Sequence, residues 1–78
     1  MLALLKVSVI VPVLNEASGI AATLAPLQDA RRKGHEVILV DGGSTDGTPE
    51  QARSLADLVI SSPAGRACQM NTGARAAS

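Results

Sequence analysis

At 78 residues the chain has room for one domain at most, and a chain of this length buries only roughly 60 to 65 % of its unfolded surface. Hydrophobic residues make up 46 % of it, yet Phe, Tyr and Trp are absent, so the core must come from Val, Ile, Leu and Ala, and no aromatic platform exists for stacking single-stranded nucleic acid. Seven basic residues cancel seven acids, which leaves no electrostatic footprint for nucleic acid or an anionic membrane.

Cys68 is the one cysteine, which excludes an internal disulfide or a cysteine-based zinc site and points to a reducing, cytoplasmic setting. With the single histidine, His35, far off in sequence, a packed thiol is a better reading of Cys68 than a nucleophile. The apolar start at residues 1–5 has no positive charge before it, and Lys6 and Pro12 interrupt the run before it reaches signal or membrane length. A soluble chain with no membrane segment is expected.

Taken in order, residues 6–14 (Lys-Val-Ser-Val-Ile-Val-Pro-Val-Leu) are dominated by β-branched side chains with little alternation, the pattern of a central strand buried on both faces. Pro12 has no N–H to give a ladder, so the strand is expected to leave the sheet there and carry Asn15 and Glu16 onto a loop. Ser18 is placed to cap a helix whose Ile20, Leu24 and Leu27 share one face, while Pro26 predicts a kink or break near residues 22–25. Arg31, Arg32 and Lys33 followed by Gly34 read as a helix end, with cations at the negative end of the dipole and a glycine free to turn left-handed.

Residues 36–40 form a second strand, again too continuously apolar to be half exposed. It runs directly into residues 41–48, Asp-Gly-Gly-Ser-Thr-Asp-Gly-Thr, a strand-loop-helix corner of the kind at which ligands of open α/β sheets sit. Asp41 is held at the strand end, and Gly42 and Gly43 remove side chains that would keep a ligand from the backbone. Thr48, Pro49 and Gln51 read as a cap, a first-turn proline and a capping-box partner for a short helix carrying Ala52, Leu55 and Ala56. A third strand over residues 57–60, a loop with Ser61, Ser62, Pro63 and Gly65, and a small-residue helix over residues 66–77 with Met70, Gly73 and Ala77 on one side complete a βαβαβα pattern. The fold class expected is α/β: a three-layer, parallel, doubly wound, Rossmann-like sheet with all three strand-end loops on one edge.

Three clusters then converge, at residues 12–16, 41–48 and 61–66. Asn15 and Glu16 read equally well as caps of the first helix and as ligand contacts. Asp46 reads first as a brace for its Asp-Gly turn. Arg66 is harder to explain structurally, because a cation at a helix start opposes the dipole, and a nearby anion would resolve the conflict. Lys6 and Arg75 read as solvated charges, and His35 as a surface residue at a strand entrance.

These residues also carry a resemblance. Ser8-Val-Ile-Val-Pro12-Val-Leu-Asn15-Glu16, then Val37-Ile-Leu-Val-Asp41-Gly-Gly-Ser44-Thr-Asp46-Gly-Thr48, then Gly65-Arg66-Ala-Cys-Gln69-Met-Asn71-Thr-Gly73-Ala resemble, in order and spacing, the N-terminal part of a family 2 glycosyltransferase of the GT-A fold. The resemblance spans nearly the whole chain, residues 1–78 forming an incomplete half-domain. It implies nucleotide-sugar binding, with a UDP-sugar as donor, by Pro12, Asn15, Glu16, Asp41, Gly43, Ser44 and Arg66. Within that set the acid matching Asp41 recognises uracil or another base, the loop from Pro12 to Glu16 lies along the ribose, and Arg66 approaches the base or diphosphate. Many relatives carry a second acid where this chain has Gly42, which bears on base preference more than on membership.

The same resemblance implies a divalent metal, Mg²⁺ or Mn²⁺, for the complete enzyme, held by an acidic pair on a later strand, with a catalytic base and acceptor site later still. None of these is matched here, so no catalytic residue and no metal ligand is expected within the chain, and transfer to the unknown acceptor is expected only with the missing half supplied. Two other classes stay in view: a non-catalytic nucleotide-binding fragment, and another nucleotide-binding α/β enzyme such as a nucleotidyltransferase. A dehydrogenase is disfavoured because no Gly-x-Gly-x-x-Gly follows the first strand. A three-strand sheet of such strands is also expected to leave an edge or apolar surface open to self-association.

Overall fold

The computed structural model describes residues 5–77; the apolar start at residues 1–4 lies outside them. Eight elements follow in order: β1 (Ser8–Val13), α1 (Ile20–Leu24), a 3₁₀ turn (Ala25–Leu27), α2 (Gln28–Arg32), β2 (Glu36–Asp41), α3 (Thr48–Ala52), β3 (Leu58–Ser61) and α4 (Arg66–Ala76). The strands form one parallel sheet in the order β1-β2-β3, as the alternation of strand and helix requires.

Of the two strands expected to be central, β2 is so: Val37, Ile38, Leu39 and Val40 are fully buried. β1 instead lies at an edge of the described sheet and is only half buried up to Pro12. This position explains why Pro12 does not turn the strand out. Glu36 N–H donates to Val7 O and Gly42 N–H to Val13 O, so β1 bonds to β2 through its odd-numbered residues. Pro12, opposite Val40, turns its nitrogen to the open edge, where no ladder bond is lost, and the strand runs on to Val13.

Alternate residues of β2 serve the two faces of the sheet. Val37 and Leu39 join Val13, Ile20, Leu24, Ala52 and Ala56 in one core, against which Val9, Val11, Leu27, Leu55 and Val59 pack. Each fully buried Ile, Leu or Val contributes about 1.5–3 kcal/mol. Val40 and Ile10 face the other way, where Gly73 of α4 lies against them. Helices α1 to α3 thus cover one face and α4 the other, which is the expected three-layer arrangement.

Local details show where tertiary context outweighed propensity. Pro26 breaks the first helix as expected: α1 stops at Leu24, the 3₁₀ turn takes the proline, and α2 resumes at Gln28. Ser18 does not cap α1, whose N-cap is Gly19, nor does Thr48 cap α3, whose N-cap is the left-handed Gly47. On α4 the buried side is Gln69 and Gly73, while Met70 is exposed, because only a residue without a Cβ fits against Ile10. Arg32 and Lys33 pair with Asp29 at the end of α2, but Arg31 does more than face a dipole: it donates to Asp57, Gln28 Oε1 and Ser54 O. No helix among the described residues is long and apolar enough to cross a membrane.

Candidate functional site

The register aligns Val13 with Asp41 and Asp41 with Ser61, so the carboxyl ends of the three strands finish level. The loops that follow them share one edge of the sheet, where ligands of open α/β sheets bind.

Asp41 ends the central strand, is only 4 % exposed, and organises the second loop. Its Oδ2 accepts the N–H groups of Gly43 and Ser44 at 3.1 and 2.8 Å, and its Oδ1 accepts the Ser44 hydroxyl at 2.5 Å. Three successive N–H groups of the first loop then donate into the second: Asn15 to Ser44 Oγ, Glu16 to Thr48 Oγ1 and Ala17 to Asp46 Oδ2, at 2.8, 2.9 and 3.0 Å. In return Asn15 Oδ1 accepts Thr45 N–H, a contact made with Asn15 at φ 51°, the left-handed region that asparagine tolerates better than most residues. The two loops therefore form one hydrogen-bonded unit.

Asp46 braces that unit, as its place in the turn suggested. Its Oδ1 accepts both the backbone N–H and the hydroxyl of Thr48. The Thr48 hydroxyl, followed by the backbone N–H groups of Ala17 and Thr48, holds the Asp46 carboxyl below the usual aspartate value against an opposing desolvation effect. Thr48 is fully buried, and its hydroxyl passes the contact on to Glu16 N–H. It serves as a link between loops where sequence suggested a helix cap.

The two glycines differ in what surrounds them. Gly43 has φ 103°, which favours glycine, and a Cβ there would meet open space. Gly42 makes room for Gln69, since a Cβ on it would stand 3.0 Å from Gln69 Cδ. Gln69 is the residue that sequence reasoning missed. It is buried, and its Nε2 donates to Val13 O and Val40 O, both at 2.9 Å, at the ends of β1 and β2. The signal available was a polar residue one turn into a small-residue helix, opposite a glycine.

The third loop joins through Ser62 N–H, which donates to Asp41 O. After Gly65, at φ 126°, Arg66 opens α4, exposed and without an ion-pair partner among the described residues. Asn15, Glu16, Gly43, Ser44 and Asp41 are thus brought together where the two loops interlock, Pro12 stands within β1 one residue before Val13, and Arg66 stands one helical turn before Gln69, which anchors α4 beside them. A shallow cavity of about 250 Å³, lined by Lys6, Arg31, Gly34, His35, Glu36 and Asp57, lies at the opposite edge, where the strands begin. We assign the site to the carboxyl edge because the three strand-end loops converge there.

Among the described residues no group of three or more His, Cys, Asp or Glu side chains is placed to hold a metal ion. The oxygens of Asp41 are taken up by its own loop, and those of Asp46 by Thr48 and by Ala17 N–H of the first loop, so the residues present do not fit a divalent cation.

Residues 8–78 match the family model described as glycosyl transferase family 2. A curated relative, the succinoglycan biosynthesis protein ExoA of Rhizobium meliloti (strain 1021), is 47 % identical over 49 residues, which take in 62 % of this chain and 15 % of that protein. No solved structure matches. With the family model running through all three strands, the interlocked loops and α4, the chain belongs to glycosyl transferase family 2.

Proposed function

We propose that this chain forms the nucleotide-sugar-binding part of a glycosyltransferase, with a UDP-sugar as the donor whose glycosyl group passes to an acceptor. The observation that carries the reading is the interlocked pair of loops at the carboxyl end of the parallel sheet, with a buried carboxylate at the end of the central strand. A fixed acceptor at a strand end is suited to reading a nucleobase edge. Asp41 Oδ1 is held there by a hydroxyl, which can rotate to let a base N–H take its place. The Asn15 loop then lies along the ribose, and Arg66 reaches the diphosphate.

Arg66→Ala is the direct test. A charge-assisted contact to phosphate is worth about 1.5–3 kcal/mol, so affinity for UDP should fall on the order of tenfold or more while affinity for uridine changes little. Calorimetric titration of both ligands into wild type and variant measures this. Equal losses for the two ligands would move Arg66 to the base, and failure of the wild type to bind UDP would remove the reading.

Transfer itself asks for more than the described residues hold. A divalent metal would offset charge on the leaving diphosphate, and a positioned base would activate the acceptor hydroxyl. Residues 1–78 alone should turn over no nucleotide sugar. Incubation with UDP-sugars, Mg²⁺ or Mn²⁺ and a panel of acceptors checks this, and metal-dependent UDP release that Asp41→Ala abolishes would overturn it.

A further inference from the structure

The amide of Gln69 occupies a position that no ligand-binding role explains and that loop structure alone does not require. Both of its Nε2 protons are used, on Val13 O and Val40 O, which are the carbonyls at the ends of the two strands that launch the interlocked loops. Neither carbonyl needs it for satisfaction: Val13 O already accepts Gly42 N–H, and Val40 lies within the β1–β2 ladder. The side chain is nonetheless buried, and the chain keeps a glycine at position 42, where a Cβ would come within 3.0 to 3.2 Å of three Gln69 atoms. A buried primary amide wedged between two strand ends, with space cleared for it, fixes where the first turn of α4 sits.

Arg66 is three residues before Gln69 on that helix, about 4.5 Å along its axis. Arg66 itself has no ion pair among the described residues, so its placement depends on the helix that carries it. We infer that Gln69 is a positioning residue for donor binding: with Gly42 it forms a size-matched pair that holds α4, and with it Arg66, in register with the Asp41 loop. This rests on the donor-site reading above. Gln69 touches no ligand in this role. It acts through Arg66 on one side and through the strand ends beneath Asn15 and Asp41 on the other.

The test is made on the full-length protein, with UDP and uridine as probes. Gln69→Leu keeps similar volume and removes both donors; it should lower the ratio of UDP to uridine affinity about tenfold, the scale of one misplaced charge-assisted contact. A merely structural tie would lower thermal stability and leave that ratio, measured on folded protein, where it was. Gly42→Ala should shift the Gly43 and Ser44 amide resonances of the ligand-free protein and reduce UDP affinity several-fold. Added to Gln69→Ala, the same Gly42→Ala change should have little further effect, because the side chain it strikes is gone. An unchanged affinity ratio in Gln69→Leu, or losses from Gly42→Ala and Gln69→Ala that simply add, would overturn the inference while leaving the donor site in place. Wild-type protein that binds neither UDP nor uridine would remove the donor site, and the role of Gln69 with it.

Discussion

Replacing Gly73 by valine is expected to unseat α4 and destabilise the protein by about 3 kcal/mol or more. A Cβ at this position would stand 2.5 Å from Ile10 Cγ2 and 3.1 Å from Val40 Cγ2, closer than van der Waals contact allows. Neither neighbour yields easily. Both are β-branched strand residues with stiff χ1 angles, and Val40 is fully buried in the central strand. Two opposing effects bear on the smaller change Gly73→Ala: alanine gains about 1 kcal/mol of helix propensity over glycine, and overpacking costs typically 1–3 kcal/mol. At 2.5 Å the steric term should win, so Gly73→Ala is expected to destabilise modestly and Gly73→Val severely. Urea unfolding reads this directly as a fall in the midpoint at constant slope. A rise in midpoint for Gly73→Ala would show that α4 does not sit this close to the sheet. Small domains have only about 5 kcal/mol to lose, so the valine variant should keep about 2 kcal/mol or less.

The order of strands and helices was legible because it depends on patterns of several residues: the β-branched run within 6–14, the continuously apolar run within 36–40, and apolar spacing at Ile20 and Leu24. Pro26 marked its break for the same reason, since a missing N–H acts locally wherever the chain goes. Which strand lay in the middle was not legible. β1 and β2 have similar composition, and only the pairing order separates them. The candidate loops were found from residue type, but their internal chemistry was not. Ser18 and Thr48 are both good caps by propensity, yet Gly19 and Gly47 take the cap positions, and the Thr48 hydroxyl bonds Glu16, 32 residues away. Gln69 and Gly42 show the same limit, because a contact between residues 27 positions apart leaves no periodic trace. Long-range polar pairing decides the details of the site, and a single sequence does not record it.

Asp41 is where loop structure and ligand recognition meet, and two substitutions separate them. Asp41→Ala leaves three donors without their acceptor: the N–H groups of Gly43 and Ser44 and the Ser44 hydroxyl. Part-buried donors that lose a partner cost on the order of 1–3 kcal/mol, and the Ser44 link to Asn15 N–H should loosen with them. This variant should therefore lose stability and UDP affinity together, which by itself does not identify a base contact. Asp41→Asn is the sharper test. The new amide can keep its oxygen on the Gly43 and Ser44 N–H groups and turn its NH₂ toward Ser44 Oγ, which can accept it, so the loop should hold and the unfolding midpoint should move little. A base N–H, however, would then face a donor instead of an acceptor. UDP affinity should fall by about 1–3 kcal/mol, roughly five- to 150-fold, in a protein that is still well folded. Titration of UDP into Asp41→Asn, alongside its urea midpoint, gives both numbers. Wild-type affinity in this variant would mean that Asp41 only braces its loop, and the base would have to be read by the exposed groups of Asn15 and Glu16.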